Sequence, residues 1–182
     1  MLSICRDEDV HPGRRSVFQG IDAVLEEVDE DLNDVVGIAE HVGIGGHFEL
    51  EPGQWTDDTS MALCLATSLL SRQQFDPHDQ MQRYCRWHND GYLSSTGKCF
   101  DIGRATKDAL LRFQSTGNPF AGSSDPRSAG NGSIMRLAPV SLFFFPDLEV
   151  IEHYAAESSK TTHGATECVD ACRLGGGEAE GG

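Results

Sequence analysis

Residues Trp55-Thr56-Asp57-Asp58-Thr59-Ser60-Met61 set two adjacent carboxylates between threonines, directly before an apolar run of helical spacing. Met61, Leu65 and Leu69 recur at helical intervals, so the acids fall at or just before a helix N-terminus. There the free N–H groups and the helix dipole favour negative charge. Neighbouring carboxylates nonetheless repel, and at about 4 Å with an effective dielectric of about 20 the cost is roughly 4 kcal/mol. A hard divalent cation removes that cost, and Mg²⁺ or Mn²⁺ prefers carboxylate and hydroxyl oxygen. The same residues also suit a purely structural cap, with Thr56 or Asp57 satisfying the first amides. Both roles stay open on these residues alone.

Two more clusters carry polar chemistry. Ser94-Ser95-Thr96-Gly97 precedes Asp101, which sits before Ile102, Ala105 and Ala109 and could cap a helix there. Ala129-Gly130-Asn131-Gly132-Ser133 places small residues and a hydroxyl before an apolar helix start at Ile134. Such a loop can present backbone N–H groups to an anion. It lacks the lysine of a Walker loop and the third glycine of a dinucleotide fingerprint, so a plain turn is the competing reading. Arg136 is the nearest cation to that loop, and it suits an acid partner equally well. His163, in Thr161-Thr162-His163-Gly164, reads either as a ligand contact or as an ordinary helix-entry histidine.

The elements that must position these groups read as helices throughout. Phe18, Ile21, Leu25, Val28 and Leu32 mark an amphipathic helix whose acidic other face is solvated. Residues 37 to 54 hold five glycines and Pro52 and form a loop leading to Trp55. A helix over Thr59–Ser71 follows, and Asp76-Pro77 starts another that Gly91 ends. A further helix carries Ile102 to Phe113 and stops at Gly117 and Pro119. Residues 120 to 133 form a long Gly/Ser/Pro loop of the kind a compact domain keeps for use. Two or three helices then run from Ser133 to Leu174, and Gly175 to Gly182 reads as a disordered tail.

The chain has 182 residues and a formal charge of -15, which argues against nucleic acid or an anionic membrane as partner. It has no apolar run long enough for a membrane span and no signal-peptide core, so a cytoplasmic setting is expected. The six cysteines include no C-x-x-C pair, and Cys168 and Cys172 lie one helical turn apart, which suits core thiols better than zinc. His41 and His47 lack completing ligands, and Trp55 and Trp87 read as packing residues.

Taken together, four words resemble the ADP-ribosylglycohydrolase family. They are Pro52 to Met61, Gly91 to Gly97 with Phe100 to Gly103, Ala129 to Arg136, and Thr161 to Gly164, in the family's order over roughly residues 35 to 174. The resemblance implies a compact, all-α orthogonal bundle that hydrolyses the glycosidic bond between ADP-ribose and a protein side chain or small acceptor. It implies Thr56, Asp57 and Asp58 as ligands in a site for two Mg²⁺ (or Mn²⁺) ions, with Asp58 and Asp101 as catalytic carboxylates. It further implies that Ser95, Thr96, Gly97, Asn131, Gly132, Ser133 and His163 contact substrate. The partner would be an ADP-ribosylated protein or small ADP-ribose conjugate, and the enzyme a monomer.

The resemblance has two gaps. Residues 1 to 34 carry no Gly-Asp-Ala-Leu-Gly word and read as a divergent segment. The Asp-x-Asp-Thr word that completes the metal pair in the family does not follow Asp101, and the match ends near Leu174. The chain therefore reads as a fragment of a longer enzyme and a poor catalyst by itself. A non-catalytic ADP-ribose-binding module is the alternative.

Overall fold

The structure, a computed structural model, describes residues 48–177. The helix expected over Phe18–Leu32, the histidines at 41 and 47, and residues 178–182 lie outside the described residues. Six α-helices follow in order: α1 Asp57–Arg72, α2 Pro77–Asp90, α3 Arg104–Thr116, α4 Ala138–Phe144, α5 Leu148–Lys160 and α6 Thr166–Gly177. Two 3-10 turns, Pro126–Ser128 and Ile134–Arg136, interrupt the connection from α3 to α4. Among the described residues the sole β feature is an isolated parallel bridge between Ser123 and His163. None of the described helices is long and apolar enough to cross a membrane. The all-α expectation holds.

Local chemistry explains most helix ends. Asp76 accepts from the N–H groups of His78 (3.1 Å) and Asp79 (3.0 Å), with Pro77 occupying the first helical position of α2. Gly91 closes α2 in the left-handed region at φ 68°, where a Cβ would collide with the Gly97 carbonyl. Gly117 closes α3 in the same way. The start of α3 differs from expectation. Its N-cap is Gly103, and Asp101 stands outside the helix with a left-handed backbone of φ 58°. Asp101 is thus not a cap, and its carboxylate is released for another use.

Two apolar clusters form the core. Met61 and Cys64 of α1 join Met81, Tyr84 and Trp87 of α2 and Leu110 of α3 in one. Leu65 and Leu69, on the same buried face of α1, meet Val140 of α4, Ala155 of α5 and Cys172 of α6 in the other. Helices α5 and α6 form the most extensive helix pair. That pairing corrects the expected tail, because α6 continues through Gly175, Gly176 and Gly177. A Cβ on Gly176 would stand 3.1 Å from both Ala155 Cβ and Ile151 Cγ2, so glycine permits the close approach of α5. Tertiary packing overrides glycine's poor helix propensity.

Candidate active site

The first turn of α1 carries Asp57, which is buried, and Asp58, which is exposed. The segment entering this turn is pinned from a distance of forty residues in sequence. The Trp55 N–H donates to Ser95 Oγ at 3.0 Å, and the Ser95 hydroxyl donates back to the Trp55 carbonyl at 2.7 Å. The indole Nε1–H of Trp55 donates to the Leu93 carbonyl at 3.3 Å. The Ser94–Gly97 turn is thereby a buttress for the carboxylates. Ser95, Thr96 and Gly97, expected to contact substrate, do not line the cavity described below. Ser95 has spent its hydroxyl on the backbone, and Gly97 is packed against the end of α2.

Asp57, Asp58 and Asp101 line one cavity of about 970 Å³. Burial, then the Asp101 and Asp58 carboxylates, push the Asp57 carboxyl up to about 7. Three acids facing one space without a cation among them have the donor chemistry of a hard-metal site. They fit one side of such a shell: among the described residues no group of three or more His, Cys, Asp and Glu side chains is gathered closely enough to hold a metal ion. Thr56, at the N-cap of α1, makes no side-chain cap bond and does not line the cavity.

The glycine loop also borders the cavity. Asn131, Gly132 and His163 line it. The N–H groups of Asn131, Gly132 and Ser133 donate to no acceptor among the described residues. The loop is held from behind. Gly130 exchanges contacts of 3.4 Å with the Cys168 thiol through both its N–H and its carbonyl, and the Gly132 carbonyl accepts from Arg136 Nη1. Ser133 turns inward, where its Oγ accepts from Ser159 Oγ at 3.0 Å and contacts Cys172 Sγ at 3.4 Å. The Ser133 side chain is therefore core, and it does not line the cavity.

His163 is buried behind the loop, with Nδ1 2.9 Å from the Thr162 hydroxyl and its carbonyl accepting from Ser159 Oγ at 2.9 Å. Burial first, and then the Arg136 charge, push its pKa down to about 4. A neutral imidazole at pH 7 offers a hydrogen bond rather than a charge. Its proximity dictates the glycine, since a Cβ on Gly132 would come within 2.6 Å of His163 Cε1 and 3.1 Å of Thr106 Oγ1.

The cavity also gathers residues that sequence reasoning passed over. Thr106 and Asp108 reach it from α3, and Ser123, Asp125 and Arg127 from the long loop. Asp125 caps the Pro126–Ser128 turn and pairs with Arg127 at 2.9 Å. The Asp-Pro pair was the readable signal for that turn; Thr106 carried none. The structure thus brings together Asp57, Asp58, Asp101, Asn131, Gly132 and His163, and leaves Thr56, Ser95, Thr96, Gly97 and Ser133 off the cavity wall.

The family model for ADP-ribosylglycohydrolase matches residues 13–177, reaching further toward the N-terminus than the four words did. The chain belongs to the ADP-ribosylglycohydrolase family. It is 43% identical over 145 residues to the ADP-ribosylarginine hydrolase Tri1 of Pseudomonas putida, covering 80% of this chain and 37% of that protein. It is 31% identical over 132 residues to the ADP-ribosyl-[dinitrogen reductase] glycohydrolase of Rhodospirillum rubrum, covering 69% and 42%. A solved ADP-ribosylglycohydrolase-related protein complex aligns with a TM-score of 0.55 at 45% identity, over 71% of this chain and 40% of that one. The chain thus spans about two fifths of the length of these relatives.

Proposed function

We propose that this chain contributes the substrate cavity of a hydrolase that cleaves the glycosidic bond between ADP-ribose and a protein side chain, with arginine as the acceptor. One observation carries the reading: a single cavity is lined by Asp57, Asp58 and Asp101 and also by Asn131 and Gly132, whose N–H groups have no acceptor among the described residues. The amides receive the diphosphate, as anion-binding loops do. Asp101, freed from capping, orients a water or accepts a ribose hydroxyl. His163 supplies a neutral hydrogen bond. Asp57 and Asp58, with the Thr56 hydroxyl beside them in sequence, would hold Mg²⁺ or Mn²⁺. Such ions lower the pKa of bound water and orient a ribose diol.

Charge supports arginine as the acceptor. Five carboxylates (Asp57, Asp58, Asp101, Asp108 and Asp125) line the cavity against Arg104 and Arg127. Such a wall attracts a guanidinium and disfavours an anionic acceptor. The Pseudomonas relative's name, ADP-ribosylarginine hydrolase, points the same way. The protein is proposed to act as a cytoplasmic monomer on ADP-ribosylated proteins, and its charge of -15 disfavours nucleic acid.

A second reading, an ADP-ribose-binding module without turnover, is favoured by the lack of a three-ligand metal cluster among the described residues. Release of ADP-ribose from an ADP-ribosylarginine protein, with Mn²⁺ and again with EDTA, separates the two. The hydrolase reading expects slow, EDTA-sensitive release. Binding of ADP-ribose without release supports the module, and neither binding nor release refutes both.

A further inference from the structure

Arg136 is fully buried, with no exposed surface. Its guanidinium donates from Nη1 to the Gly132 carbonyl, and from Nη2 to the Ser158 carbonyl and Thr161 Oγ1, both at 3.2 Å. Its centre lies 4.8 Å from the Tyr84 ring centroid, and its Nε–H has no partner among the described residues. No carboxylate among the described residues pairs with it. Every described group that it contacts is neutral.

Burying a full charge among neutral partners is costly, and native proteins ordinarily compensate it. The carbonyls ending α5 offer part of a negative charge through the helix dipole. They do not amount to a counter-ion. The Gly132 carbonyl is the link to the cavity. A trans peptide points its C=O and N–H in opposite directions. Fixing the Gly132 carbonyl on Arg136 therefore turns the Ser133 N–H away from the guanidinium, next in sequence to the N–H groups of Asn131 and Gly132, which have no acceptor among the described residues. The charge also reaches the cavity wall, since it helps hold down the pKa of His163.

We propose that the counter-ion which the described residues do not supply to Arg136 is the ligand itself. Arg136 is a positioning residue that orients the Gly132–Ser133 peptide and stands as an unscreened positive charge behind an amide cradle for a diphosphate. This rests on the functional reading above and extends it to a residue that touches no substrate. Arg104 and Arg127, at the cavity, are the competing source of charge. They are 95% and 90% exposed and already sit beside Asp108 and Asp125.

Calorimetric titration of ADP-ribose and adenosine into the parent chain, Arg136→Lys and Arg136→Met tests the proposal. ADP-ribose affinity should fall at least about tenfold in Arg136→Met, or about 1.4 kcal/mol. It should stay within about threefold in Arg136→Lys, with adenosine affinity unchanged in both. A buried charge escapes screening, so parent affinity should fall less than about threefold between about 50 and about 500 mM salt. Retained affinity in Arg136→Met, or an equal loss for adenosine, overturns the proposal. So does a steep salt dependence in the parent, which assigns the charge to the exposed arginines and decides the matter even where Arg136→Met does not fold. Absence of ADP-ribose binding by the parent removes the functional reading and this one together; binding that survives in Arg136→Met removes this one alone.

Discussion

Replacing Gly132 by alanine tests whether the cavity wall is as tightly built as its geometry states. The added Cβ would stand 2.6 Å from His163 Cε1, 3.0 Å from its Nε2 and 3.1 Å from Thr106 Oγ1. The imidazole cannot swing clear cheaply, because its Nδ1 is held by Thr162 at 2.9 Å and the residue is only 4% exposed. Overpacking of this kind costs about 1–3 kcal/mol. The lost freedom of glycine in the unfolded chain returns about 0.4–1 kcal/mol. The net loss should be about 1.3 kcal/mol, within roughly 0–2.6, or a Tm lower by about 3–5 °C for a chain of this size. Gly130 is the internal control, two positions away in the same loop. A Cβ there would meet His163 Nε2 at an ordinary 3.8 Å. Calorimetric melts of Gly132→Ala, Gly130→Ala and the parent, each with and without ADP-ribose, supply the measurement. Gly132→Ala should lose both stability and the ligand-induced rise in Tm. Equal stability of the two variants would refute the packing argument.

Three further outcomes are expected. His163 is held at about 4 against 6.5 in the unfolded chain, so the unfolded state takes up its proton first as pH falls. Its stability contribution is whole above pH 6.5 and is lost toward pH 4, by at most about 3 kcal/mol, and urea melts of His163→Gln should show a flatter profile over that window. Titration with Mn²⁺ should show binding that weakens at least about tenfold, roughly 1.4 kcal/mol, in Asp57→Asn and in Asp58→Asn; unaltered binding in both would return these residues to helix capping. Ser95→Ala removes both bonds to the Trp55 backbone and should lower stability by about 1–2 kcal/mol in chemical denaturation, whereas an unchanged midpoint would remove the buttress role.

What the sequence determined by itself was local. Asp76-Pro77 and Gly91 mark the ends of α2 through bonds made within a few residues, and Gly117 ends α3 likewise. Asp57-Asp58, Asn131-Gly132 and His163 were readable because each needs an unusual residue at a helix edge or tight turn, and all line the cavity. Tertiary structure decided the rest. Ser95 looked like a substrate contact, but its hydroxyl is claimed by Trp55 across forty residues of chain. Asp101 looked like a cap, and α3 begins at Arg104 instead. Gly175 to Gly177 looked like a frayed tail and are helical, and α5 packs so closely on α6 that a Cβ at Gly176 would stand 3.1 Å from Ala155 and Ile151. Arg136 was placed near an anion and near an acid with equal justice, and among the described residues its partners are neutral. Caps and turns are short-range bonds that a few residues specify, whereas the direction of a side chain depends on which distant surface packs against it.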